Sequence, residues 1–165
     1  MKKILLSACL AGLPVRYNGS SKIVVSEHIA RWRQQNRLVV FCPELAAGFQ
    51  TPRPAAEIQP TGSGHSVMTQ GARVKESSGD DVTERYILAA WLTLEMAQQH
   101  NCQFAILTEG SPSCGSNLIY SGEFNNRKIA GSGVTAELLT RHGIEVFSEY
   151  EIPRLCARIE RSDAV

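Results

Sequence analysis

The sequence has no CxxC pair, no glycine-rich phosphate loop of the Walker type and no GxGxxG run. These absences argue against an ordinary zinc ribbon and against the common nucleotide fingerprints. No stretch reaches the ~18 apolar residues of a membrane span. Charge imbalance is missing too: 17 Lys and Arg against 16 Asp and Glu leave +1. No global field therefore draws the chain to nucleic acid or anionic membrane. A disulfide framework is also absent. The five cysteines are an odd number, and in a cytoplasmic chain they point to metal or catalytic use. Met1-Lys2-Lys3 followed by Leu6-Ser7-Ala8-Cys9 imitates a lipoprotein signal. The apolar run Ile4–Leu6 is far shorter than the ~7–15 residues an export signal needs, and cleavage there would delete the first strand. The expected location is the cytoplasm.

What is present is a 165-residue chain with 43% hydrophobic and 20% charged residues, ordinary for a soluble globular protein. That length suits one domain over residues 1–165, burying roughly two-thirds of its unfolded surface. Continuous apolar runs predict strands at 2–8, 37–42, 103–108 and 144–147. Helical spacing predicts helices over 22–36 with Ser26 as N-cap, 81–99, 133–141 and 152–161. Residues 43–80 hold four of the seven prolines. A segment of that length is too long for a mere connector. Val67, Thr69 and Val74 around Gln70-Gly71 suggest an ordered excursion with a small hairpin. Strands alternating with helices predict a single-domain, three-layer, Rossmann-like α/β fold with a mainly parallel sheet. Ligands of such sheets bind outside the carboxyl ends of the strands.

Three cysteines fall at those ends. Cys9 follows the first strand, Cys42 follows Leu38-Val39-Val40-Phe41, and Cys114 lies just beyond Phe104-Ala105-Ile106-Leu107. If the strands are neighbours, the three thiols converge on one edge. Three readings remain open. The thiolates hold a 4Fe–4S cluster by three irons with the fourth open, or hold zinc with a fourth ligand, or are unrelated buried thiols. Glu44, two residues after Cys42, is placed to act as acid or base, or is a solvated loop residue or N-cap partner. Cys102 and Cys156 read as small buried hydrophobes.

In Ser111-Pro112-Ser113-Cys114-Gly115, two hydroxyls and a thiol share a rigid turn. Ser113 and Gly115 are candidate contacts of a bulky inorganic group, because small residues let the backbone approach and N–H or O–H groups donate to its sulfurs. The alternative is an ordinary strand-to-helix turn. Gly131-Ser132-Gly133-Val134-Thr135 weakly resembles a phosphate-cradling loop. Arg53, between Pro52 and Pro54, is stiffened to meet a substrate anion or a carboxylate, or forms an ion pair with Glu57 or Asp81. The four histidines, His28, His65, His100 and His142, are spaced like surface residues.

Together these segments resemble the family catalogued as domain of unknown function 523, which includes 2-thiouracil desulfurases. The stretches that carry the resemblance are SACLAGLPVRYNG (7–19), CPELAAGFQTPRPAAEI (42–58), GDDVTERY (79–86), SPSCG (111–115), LIYSGEF (118–124) and GVTAELL (133–139). The resemblance implies an oxygen-sensitive 4Fe–4S cluster on Cys9, Cys42 and Cys114, with Glu44 and Ser111 serving the reaction. It implies a thiolated heterocycle of the 2-thiouracil kind as substrate, converted to the oxo base and sulfide. Alternatives are the same chemistry on a thionucleoside or tRNA, or a non-catalytic cluster- or zinc-binding regulatory module. The chain departs from the family pattern at Thr108-Glu109-Gly110, where Lys is frequent, and at Gly48-Phe49-Gln50, where Gly-Leu-Pro is common.

Overall fold

The computed structural model describes residues 1–164. Its centre is a four-stranded, all-parallel sheet in the order β2-β1-β5-β8. The strands are β1 (Lys3–Ser7), β2 (Leu38–Phe41), β5 (Cys102–Leu107) and β8 (Glu145–Ser148). β1 has Leu38–Phe41 on one side and Phe104–Ile106 on the other, so the connection order reverses between β1 and β5. That reversal opens a crevice at the carboxyl edge of the sheet.

Alternation along the strands builds the three layers. Ile4, Leu6, Phe104 and Ile106 face α1 (Glu27–Gln34) and α6 (Ile152–Asp163), packing with Ile29, Trp32, Leu155 and Ile159. Leu5, Ala105 and Leu107 face the other way, against α4 (Thr83–Gln99) and α5 (Val134–Arg141), meeting Tyr86, Ala90, Leu94 and Leu139. The helices form where their apolar stripes recur at three- and four-residue spacing. Ser26 caps α1, accepting from the amides of His28 and Ile29. No helix among the described residues is long and apolar enough to cross a membrane.

The segment after β2 is ordered, as expected, but its hairpin is not where the alternation put it. It runs α2 (Pro43–Ala46), β3 (Ala56–Ile58), α3 (Gly64–Thr69) and β4 (Val74–Glu76), with β3 and β4 antiparallel. Val67 and Thr69 lie on α3. Ser63 and Ser66 form a reciprocal capping box, which starts a helix there, and Gly71 at φ +74° follows its end. A second short hairpin, β6 (Leu118–Tyr120) with β7 (Lys128–Ala130), was not anticipated. Its three-residue strands are too short to produce a pattern.

Ion pairs tie the carboxyl-terminal helix to the sheet, Arg158 with Glu145 of β8 at 2.8 Å and Asp163 with Arg37 just before β2. Arg37, 3% exposed, donates to the Lys2 carbonyl at 3.0 Å and to both Asp163 oxygens at 2.9 and 3.1 Å. Those bonds hold the Asp163 carboxyl below its usual range. A depressed folded pKa gives stability that is present above the unfolded value of about 3.9 and lost as pH falls through the folded one. Asp163→Asn is expected to cost about 1 kcal/mol at pH 7, discounted for the carboxylate's partial exposure. In urea unfolding the gap from wild type should narrow toward pH 3.

Candidate active site

The ends of β1, β2 and β5 each deliver one part of the site. After β1 the chain turns so that Ala8 N donates to Phe41 O at 3.0 Å, tying the ends of β1 and β2 together. Cys9, 8% exposed, follows at once. Cys42 precedes α2, whose first turn carries Glu44. Beyond β5, Thr108 N donates to Ser7 Oγ at 3.2 Å, holding the 108–114 segment beside β1. A cavity of about 220 Å³ opens there, with Cys9, Cys42, Cys114, Glu44, Ser111 and Thr108 among its walls.

The turn that presents Cys114 is organised by Ser111. Its Oγ accepts from the amides of Ser113 at 3.0 Å and Cys114 at 3.2 Å. A hydroxyl has two lone pairs and one proton; with both lone pairs engaged, the proton is what Ser111 can offer to the cavity. Glu109 closes the far side of the same loop. Its Oε1 accepts from the amides of Ser116, Asn117 and Leu118 at 2.8, 3.0 and 3.0 Å. Ser113 and Gly115 are not among the residues that line the cavity. The Ser113 hydroxyl lies 2.7 Å from Thr135 Oγ1, and the Gly115 carbonyl accepts from Gly133 N at 2.7 Å. A Cβ on Gly115 would collide with the Leu118 carbonyl. These contacts brace the turn that carries Cys114. The Gly131–Thr135 loop, too, is spent on packing against Ser113 and Gly115.

Glu44 is the most constrained side chain of the site. It is 12% exposed, and its Oε2 takes Arg53 Nη2 at 3.0 Å. Its Oε1 is buried with no hydrogen-bond partner among the described residues. Arg53 is in turn clamped, donating to the carbonyls of Val15 and Gln50 and to Thr51 Oγ1. Its own amide donates to Tyr17 O at 2.7 Å. The expectation that Arg53 meets a carboxylate holds, but the partner is neither Glu57 nor Asp81. Glu57 accepts from the amides of Gly122 and Phe124 at 2.8 and 3.2 Å, while Asp81 pairs with Arg73 at 2.8 Å.

The electrostatics tie these groups into one unit. Burial pushes the Glu44 carboxyl up, with Arg53 pulling against it. Burial also pushes the Cys42 thiol up to about 11, with the Glu44 charge adding to it. Cys9 is raised by burial, against a lowering contact from Thr108. Cys114 is raised well above its ordinary value by burial and then by Glu44, Cys42 and Cys9. Four acids thus oppose one another's ionisation, with Arg53 the guanidinium in contact. A cationic, thiophilic group would relieve all four at once.

Among the described residues, no three His, Cys, Asp or Glu side chains gather closely enough to hold one metal ion. The four histidines lie away from the cavity, and His65, His100 and His142 are exposed. Cys102 and Cys156 are buried at the start of β5 and on α6, as expected of small hydrophobes. Of the departures from the family pattern, Phe49 is core: it packs on Tyr86 with ring centroids 5.0 Å apart and lies under Arg85. Thr108 was missed as a site residue. Its hydroxyl lies 2.8 Å from Cys9 Sγ, and the strand-end logic that singled out Cys9 could have found it.

Fold and site define a Rossmann-like α/β protein with a thiol-rich pocket at its topological switch point. The chain belongs to the 2-thiouracil desulfurase family, whose model matches residues 4–151. It is similar to the uncharacterised protein YbbK of Bacillus subtilis strain 168, 48% identical over 149 residues that span 90% of this chain and 97% of that protein. It is also similar to the solved structure of the 4Fe–4S-dependent thiouracil desulfidase TudS. There the TM-score is 0.87 at 44% identity, covering 97% of this chain and 99% of that one.

Proposed function

We propose that this protein is a desulfidase that converts a thiouracil-type base and water into the oxo base and sulfide. It uses a 4Fe–4S cluster held by Cys9, Cys42 and Cys114, within one domain spanning 1–165. The reading rests above all on the convergence of three thiols and the unpartnered Glu44 Oε1 on one cavity. Membership of the 2-thiouracil desulfurase family and the likeness to a 4Fe–4S-dependent thiouracil desulfidase support it. The donor set fits such a group. A single zinc ion, with bonds of about 2.3 Å, needs its thiolates within roughly 4 Å of one another. A cluster ligated through three different irons does not, and among the described residues no His, Cys, Asp and Glu side chains form a single-ion site. Five free cysteines accord with a reducing, cytoplasmic compartment.

When bound, a cluster with one iron free of protein thiolate supplies a Lewis acid for the thiocarbonyl sulfur. The chain's own residues do the rest. Glu44 Oε1 takes a proton from water as that water attacks the C–S carbon, and returns it to the ring or to the departing sulfide. Arg53 fixes Oε2, so the carboxyl presents Oε1 alone. Ser111 donates its O–H to the substrate or to the attacking water. One C–O bond forms and the C–S bond breaks. The exchange is hydrolytic and needs neither oxidant nor reductant.

The test is anaerobic reconstitution of the full chain with iron and sulfide, followed by an assay for sulfide and uracil from 2-thiouracil. A brown protein that releases the two in equal amounts is the expected result. A loaded protein that desulfurates no thiobase would instead be a non-catalytic cluster-binding module.

A further inference from the structure

Thr108 is the first residue beyond β5, and it reaches across the crevice where the sheet order reverses. Its amide is pinned to Ser7 Oγ at 3.2 Å, and its hydroxyl stands 2.8 Å from Cys9 Sγ. Both residues are 8% exposed, so water does not compete freely for the contact. Threonine is β-branched and stiff at χ1, and with its own amide on Ser7 and the next amide on Glu149 at 2.9 Å the hydroxyl has little freedom to turn away. Between a hydroxyl and a neutral thiol either atom can donate. Between a hydroxyl and a thiolate only the hydroxyl can, because the sulfur has no proton. Metal ligands are thiolates, so once Cys9 is ligated the Thr108 proton must point at its sulfur.

We propose that Thr108 is a positioning and tuning residue, donating a hydrogen bond to the Cys9 thiolate that orients it and sets the reduction potential of the cluster it holds. The inference rests on the cluster reading above and adds to it a residue outside the ligand set and outside the proton-transfer pair. Hydrogen bonds to ligand sulfurs are among the factors that set cluster potentials. Reduction adds negative charge that spreads onto the sulfurs, so a donor stabilises the reduced form more than the oxidised one. The same withdrawal of charge makes the irons better acceptors for a substrate sulfur. Removing the donor must therefore move the potential downward.

Thr108→Val removes the hydroxyl and keeps the shape; Thr108→Ser keeps the hydroxyl and loses the methyl. Wild type and both variants are reconstituted anaerobically with iron and sulfide. Iron content is measured, and the one-electron couple is titrated by electron paramagnetic resonance. Thr108→Val is expected to load iron like wild type and to disfavour reduction roughly three- to tenfold, tenfold corresponding to about 59 mV. Thr108→Ser should titrate with wild type. Loss of loading in Thr108→Val together with full loading in Thr108→Ser would equally support the hydrogen bond, as a requirement for holding Cys9. A fully loaded Thr108→Val that titrates at the wild-type potential overturns the role of Thr108 and leaves the cluster reading intact. A wild-type chain that takes up no cluster overturns both.

Discussion

Glu44→Gln is expected to lower kcat for sulfide release by about 10²–10⁴, the range for loss of a positioned acid or base. Iron content should stay at the wild-type level. Glutamine keeps the shape and can still accept from Arg53 through its carbonyl oxygen, so the pocket should survive. It cannot take a proton from water. Burial raises the Glu44 carboxyl above its ordinary value, which brings it closer to neutrality, where a group that both accepts and returns a proton is most effective. The second oxygen matters as much as the acidity. Oε2 is committed to Arg53 at 3.0 Å, and Oε1 is buried with no partner among the described residues. Single-turnover sulfide release on loaded protein is the measurement. Full activity in Glu44→Gln would remove Glu44 from the mechanism.

Loss of any one of Cys9, Cys42 or Cys114 to alanine should abolish the brown chromophore and, with it, desulfuration. Cys102→Ala and Cys156→Ala should keep both. The contrast comes from position. Cys102 pairs across to Lys3 at the start of β1, the opposite end of the sheet from the cavity. Cys156 sits on α6 with Arg31 Nη2 at 3.2 Å. Either change removes one buried sulfur and should cost stability on the scale of a small core truncation, about 1–2 kcal/mol, without touching the cavity. If the three site variants reconstitute as well as the two controls, the ligand assignment is wrong. Cys114 is the most demanding of the three, because it is fully packed behind a turn that Ser111 and Glu109 hold together. Cys114→Ser therefore serves as a second variant that preserves volume and hydrogen bonding while removing the soft ligand.

The layered architecture and the edge that carries the site were legible from local pattern. Ile4-Leu5-Leu6 and Phe104-Ala105-Ile106-Leu107 are apolar without a break because both faces of a parallel sheet are covered. Ser26 caps α1 as expected, and α4, α5 and α6 formed within the stretches where helical spacing put them, give or take two residues. The hairpin near Gln70 was misplaced because Val67, Thr69 and Val74 satisfy a two-residue alternation. The Ser63–Ser66 capping box settles that stretch as helix, and it is visible only once the backbone amides have positions. Ser113 and Gly115 were read as candidate contacts of a bulky inorganic group because they flank Cys114. In the fold Ser113 meets Thr135, and Gly115 lies close under the Leu118 carbonyl.

The three cysteines could be singled out from the sequence because each lies at or beyond a recognisable strand end, while Glu44 and Ser111 took their roles from the family resemblance of the segments around them. That information is local and is written in neighbouring letters. Pairings made at long range were beyond it. The sequence offered Arg53 Glu57 or Asp81, and folding gave it Glu44 instead, with the guanidinium clamped against the carbonyls of Val15 and Gln50. The Thr108 hydroxyl meets a sulfur 99 residues away because β1 and β5 are neighbours in the sheet. A contact of that separation is decided by strand order, which exists only after the crossovers have packed.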